Sequence, residues 1–146
     1  MYVDRVEISF DAGHRILGHP GKCAAPHGHT YRAEVYVSAP EVDALGFARD
    51  FGDVKGPLKA WIDHHWDHAF LVGRDDTALL AALGSLADAK IYRVALGNPS
   101  AELLARELFD VAADLLDAPV DAVRVWESPT QWAEYRPRPP VAGVHG

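Results

Sequence analysis

The chain has 146 residues, one cysteine and a formal net charge of −7, which fits one compact domain and argues against a protein that grips nucleic acid. Apolar residues make up 49% of it, yet no uninterrupted apolar run approaches a membrane span. A lone cysteine forms no intrachain disulfide and no secretory leader pattern is visible, so the expected setting is a reducing cytoplasm and the expected partner a small molecule.

In chain order, the first expected element is a strand over about 3–13, in which Val6, Ile8, Phe10, Ala12 and His14 alternate with polar residues. A second strand over 28–38 follows, with His27, His29, Tyr31, Ala33, Val35 and Val37 on one face. Paired as an antiparallel hairpin, these strands end their apolar face in three imidazoles, and the intervening loop 15–26 carries Cys23 over that end. Neutral imidazole is the commonest zinc ligand, and three such ligands leave a fourth position for water or substrate. His14, His27 and His29 are therefore candidate zinc ligands. Cys23 is either a reactive thiol above the site or a fourth, structural ligand. Arg15, Lys22 and Arg32 can offset the acidic field toward an anionic substrate, although ordinary surface charge explains each of them as well.

A connector around Gly46–Phe51 leads to a helix over about 53–65, striped by Val54, Leu58, Trp61, Ile62 and His65. It ends in Asp63-His64-His65-Trp66-Asp67-His68. There a carboxylate orienting an imidazole is one way to build a proton donor, whereas a His64/His68 metal pair would need an unbroken helix. The stretch 69–90 reads as loose, with a short helix near 76–83, followed by a short extended run at Ile91–Ala95. Asn98 and Pro99 suit the cap and first position of a helix over about 99–116, which would bury Leu104, Leu108, Val111, Ala112 and Leu115. Two strands, about 121–127 and 130–136, close the domain, and 137–146 reads as a loose tail whose His145 is incidental. Val123, Val125 and Glu127 share a face, so a carboxylate ends an apolar row; it is either ligand-facing or an exposed strand end. The whole reads as one α+β domain over 1–146, β-β-α-α-β-β, with a four-stranded antiparallel sheet, two helices on one face and two open edges that favour a homo-oligomer.

The motifs Phe10-Asp-Ala-Gly-His14, Lys22-Cys23-Ala-Ala-Pro-His27-Gly-His29-Thr-Tyr31, Asp67-His68-x-x-Leu71, Asn98-Pro99-Ser100-x-Glu102 and Val125-x-Glu127 fall in order along nearly the whole chain. So does Gly46-x-x-x-Asp50-Phe51-x-Asp53-x-Lys55. Together they resemble the 6-pyruvoyl-tetrahydropterin synthase / 6-carboxy-tetrahydropterin synthase family. The resemblance implies the tunnelling fold, trimers stacked into a hexamer, and active sites between subunits. It implies Zn2+ on His14, His27 and His29, Cys23 as general base, and Asp67 with His68 completing proton transfer. Glu127 would anchor the pterin, with Ser100 and Glu102 lining its pocket. The short interval between Cys23 and His27 resembles the branch that converts 7,8-dihydroneopterin triphosphate to 6-carboxy-5,6,7,8-tetrahydropterin, acetaldehyde and triphosphate for queuosine. The alternatives are pyruvoyl-forming activity or a non-catalytic zinc- or pterin-binding module. Ser100, Ala101, Val72 and Ser128 depart from residues common in the family, and segment 72–97 is longer than in compact members.

Overall fold

Residues 1–137 are described by the computed structural model; the rest of the expected tail, including His145, lies outside them. Strands β1 (Tyr2–His14) and β2 (His27–Ala39) pair antiparallel in unbroken register, from Tyr2 opposite Ala39 to His14 opposite His27. Each is about a residue longer at its ends than expected, because the period-two alternation continues into the histidines. Gly13 faces Gly28 across this end, and a side chain at Gly13 would strike the Phe70 ring at 2.8 Å.

Helix α1 (Phe51–His65) begins two residues earlier than expected, since the Asp50 carboxylate caps it by accepting from the Gly52 N–H at 2.8 Å. It runs through Pro57. Strand β3 (Ala69–Gly73), helix α2 (Thr77–Gly84) and strand β4 (Ile91–Val94) fill the stretch read as loose. Helix α3 (Ala101–Leu115) is followed by β5 (Val120–Ser128) and β6 (Gln131–Tyr135).

The expected antiparallel core β1-β2-β5-β6 is present, but the sheet is six-stranded and mixed, ordered β4-β3-β1-β2-β5-β6, with three helices instead of two. The extended run expected at Ile91–Ala95 is β4, paired parallel with β3, and the short helix expected near 76–83 is α2; only β3, paired parallel with β1 over Ala12–His14, has no counterpart in the sequence reading. A strand of five residues gives too little periodicity to stand out.

One face of the sheet is covered by α1 and α3. Val6, Ile8, Phe10, Tyr31, Ala33, Val35 and Val37 meet Val54, Leu58, Ile62, Leu104, Leu108 and Ala112 in a single core. Each fully buried leucine contributes about 1.5–3 kcal/mol. Phe10 stacks on Tyr31 at 5.0 Å and leans on the buried Trp66 at 5.4 Å. Three details differ from expectation. Trp61, His65 and Val111 are only half-buried. Leu115 is exposed and Leu116 buried, because the backbone leaves the helix at Leu116 (φ −99°, ψ 135°) and turns that side chain inward. Ser100, not Asn98, caps α3, accepting from the Leu103 N–H at 3.3 Å.

Candidate metal centre and active site

The hairpin register brings His14, His27 and His29 to one end of the apolar face, with ring centroids 4.7–5.1 Å apart. Their ligand nitrogens all lie within 4.8 Å of one another, the spacing of a set able to hold a metal ion. His14 is almost wholly buried and the other two partly so. Backbone carbonyls fix two of the rings. His14 Nδ1 donates to the Pro99 carbonyl at 2.8 Å, and His27 Nδ1 to the Ala25 carbonyl at 2.7 Å. In each neutral ring the proton then sits on Nδ1 and Nε2 presents a bare lone pair, the arrangement that orients metal-binding histidines.

The bare nitrogens converge on a carboxylate. Glu127 Oε1 lies 3.3 Å from His14 Nε2 and 3.6 Å from His29 Nε2. Neither contact is a hydrogen bond, and both nitrogens are buried without a protein partner. Burial also holds the His14 and His29 pKa values below the ordinary imidazole range, even though Glu127 pulls the other way. Neutral imidazole lone pairs facing a carboxylate oxygen repel one another unless a cation stands between them. The donor set therefore fits a bound metal ion.

Cys23 sits in a single 3-10 turn, Lys22–Ala24, and is partly buried. The loop is cross-tied where the Ile16 N–H donates to the Cys23 carbonyl at 2.8 Å. Cys23, His14, Ser100, Glu102 and Glu127 line one depression of about 370 Å³, so the structure gathers most of the expected pocket within one chain. His19 lines it too; sequence reasoning passed over this residue although it stands only four positions before Cys23. Asn98 was read as a cap but instead braces the loop, its side chain accepting from the Leu17 N–H and donating to the Leu17 carbonyl, both at 3.1 Å. No sequence signal marked the Pro99 carbonyl as the group that orients His14.

Asp67 and His68 lie elsewhere. His68 follows the end of α1 in a left-handed backbone conformation (φ 59°), uncommon for non-glycine residues, although histidine, like asparagine and aspartate, adopts it more readily than most. Its N–H donates to the Asp11 carbonyl at 2.7 Å, and its ring Nδ1 meets the Asp67 carboxylate at 2.9 Å. The other Asp67 oxygen accepts from the Asp11 N–H at 2.9 Å, the main reason the Asp67 carboxyl titrates below the usual range. His68 is exposed and lines a second depression of about 860 Å³ together with His27, His29, Phe70 and Lys90. The turn at Trp66–His68 breaks the helix, so the His64/His68 pairing is not formed. Among the described residues only the three hairpin histidines form a metal-capable cluster. Arg15 is committed to Asp76, with two contacts of 2.6 Å, and Arg32 to Glu7 and the Trp126 ring; neither is free for an anion.

Residues 5–138 match the family model described as 6-pyruvoyl tetrahydropterin synthase. A 6-carboxy-5,6,7,8-tetrahydropterin synthase of Rickettsia felis is 42% identical over 101 residues, spanning 69% of this chain and 72% of the relative. The enzymes of that name from Rickettsia bellii (34% identical; 87% of this chain, 94% of the relative) and Haemophilus influenzae (32% identical; 89% and 95%) align over most of both chains. Among solved structures, an uncharacterized protein from Wolinella succinogenes has a TM-score of 0.81 at 19% identity, covering 94% of this chain and 98% of that one. The 6-pyruvoyl tetrahydropterin synthase of Caenorhabditis elegans gives 0.67 at 20% identity, covering 94% and 96%. These two likenesses bear on the fold, and the sequence matches bear on descent. With a tunnelling fold and a match running through nearly every element from β1 to β6, the chain belongs to the 6-pyruvoyl tetrahydropterin synthase family, an enzyme family of tetrahydropterin synthases.

Proposed function

We propose that this chain is a zinc-dependent lyase converting 7,8-dihydroneopterin triphosphate to 6-carboxy-5,6,7,8-tetrahydropterin, acetaldehyde and triphosphate, a product destined for queuosine and related deazapurines. One observation carries the reading: the bare, buried Nε2 of His14 faces Glu127 in the depression that also holds the Cys23 thiol. The relatives' shared name supports the choice of the carboxy product.

His14, His27 and His29 hold the ion. Three neutral nitrogens with an open fourth position suit zinc, which supplies Lewis-acid polarisation of the substrate's side-chain oxygens. Cys23, as thiolate, takes the proton from the side-chain carbon next to the ring. His68, kept by Asp67 in one orientation, exchanges the proton that the thiol does not handle. Glu127 accepts two hydrogen bonds from the amino-pyrimidine edge of the pterin, while Ser100 and Glu102 wall the pocket.

The active assembly is a homo-hexamer of two stacked trimers with sites between subunits. Two features support this. Cys23 and His68 line different depressions of one chain, and a second copy set against the first would bring a thiol and an imidazole to one metal centre. Three stretches of strand also lack a partner on one side among the described residues: β1 over 2–11, beyond its short pairing with β3, and the outer sides of β4 and β6.

The test is incubation of purified protein with 7,8-dihydroneopterin triphosphate. Acetaldehyde and triphosphate released in equal amounts are expected. Triphosphate without acetaldehyde would identify the pyruvoyl-forming reaction, and substrate bound without turnover would leave a binding module.

A further inference from the structure

The segment between β3 and β4 has no part in the site described above, yet both of its ends are fastened beside it. At its start, Asp76 is buried, caps α2 by accepting from the Leu79 N–H at 3.1 Å, and takes both contacts from Arg15, the residue directly after His14. At its end stands Lys90. The ammonium of Lys90 donates to the Asp63 carbonyl and to the Asp67 carbonyl, both at 2.7 Å. The Lys90 carbonyl accepts from the Phe70 N–H at 2.8 Å, two residues beyond His68. A cation on the last carbonyls of a helix satisfies acceptors that have no intrahelical donor, and it complements the negative end of the helix dipole. Here the Asp63 carbonyl belongs to the last turn of α1, and the Asp67 carbonyl to the turn in which His68 takes its left-handed conformation. Asp11 grips that turn from the β1 side, and Lys90 grips it from the opposite side.

We infer that Lys90 is a positioning residue for the Asp67–His68 pair, and that the segment from Asp76 to Lys90 is a strap holding the proton-transferring turn in fixed register with the metal-bearing end of β1. The inference rests on the proposed role of His68. Without the ammonium, the Asp67 carbonyl loses its donor, the strained backbone at His68 relaxes, and the imidazole leaves the orientation set by Asp67. Chemistry then slows, while metal and substrate bind as before, because the Lys90 ammonium is turned to the Asp63 and Asp67 carbonyls.

The experiment is a double-mutant cycle on the metal-loaded protein, with Lys90→Met, His68→Ala and the two combined. Lys90→Met is expected to lower kcat about tenfold with KM within about twofold, the split of a group acting on the chemical step. Metal content and melting temperature should stay close to those of the parent. In the His68→Ala background the same change should cost less than about twofold, because an effect routed through His68 vanishes once His68 is gone. Lys90→Arg, which keeps charge and donors, should restore most of the rate. Equal losses in both backgrounds, or loss of metal and KM along with kcat, would overturn the positioning role. Should Lys90→Met fail to fold, Lys90→Gln, which keeps an amide donor without the charge, takes its place in the same cycle and is read the same way. A His68→Ala protein as active as the parent would instead overturn the proposed role of His68, an outcome separate from the others.

Discussion

His14 spends one ring proton on Pro99 and keeps its other nitrogen bare, and His27 does the same with Ala25. Removing one ligand should therefore empty the centre. His27→Ala is expected to lose its metal by elemental analysis, and stoichiometric zinc in that variant would contradict the ligand set. Glu127 stands against the ligand nitrogens without bonding to them, so Glu127→Gln should retain the metal while substrate affinity falls about tenfold or more, as when a charged hydrogen-bond acceptor is lost. Titration of the metal-free protein has a definite sign. Burial lowers the His14 and His29 pKa values, so as pH falls through the unfolded value of about 6.5 the unfolded chain takes up protons that the folded chain refuses. Their contribution is intact above that pH and is lost below it. Melting temperatures measured without metal should accordingly drop between about pH 7 and pH 5, and bound metal, which requires the neutral rings, should raise them at every pH while making the drop steeper.

At the scale of elements, the long strands were legible with their pairing, β4 only as an unpaired extended run, and β3 not at all. Thirteen residues of strict alternation in each of β1 and β2 identify a hairpin and even its inner face, whereas Ala69–Gly73 and Ile91–Val94 carry only brief apolar runs. Their pairing is parallel and depends on contacts far away in the chain, which local pattern does not encode. The same reason hid the Arg15–Asp76 pair, sixty-one positions apart and the tie between β1 and α2. Truncating it leaves the Asp76 carboxylate buried without its partner. Arg15→Ala should lower the denaturation midpoint, with activity following stability.

For the whole molecule, the ligand residues and the thiol were legible because chemistry-bearing side chains cluster within sixteen positions. Where His68 sits relative to Cys23 was not, because only the folded chain shows that they open onto different depressions. If one site is built from two copies, Cys23→Ala and His68→Ala proteins, each strongly impaired alone, should regain activity when unfolded together and reassembled. Random mixing in equal amounts gives about one quarter of sites an intact thiol and an intact imidazole, as expected for a ring of like interfaces. No recovery would mean that each chain carries a complete set.

The row Ala33, Tyr31, His29, His27 runs along β2 from the hydrophobic interior to the cation-binding end without a loop between them. Occupancy of that end is thus felt by the interior directly. An ion held at a thousand times its dissociation constant adds about 4 kcal/mol to the folded state. A chelator should therefore act on the metal-loaded protein as a mild denaturant, and the ion proposed for that end would fasten the hairpin as much as serve the chemistry.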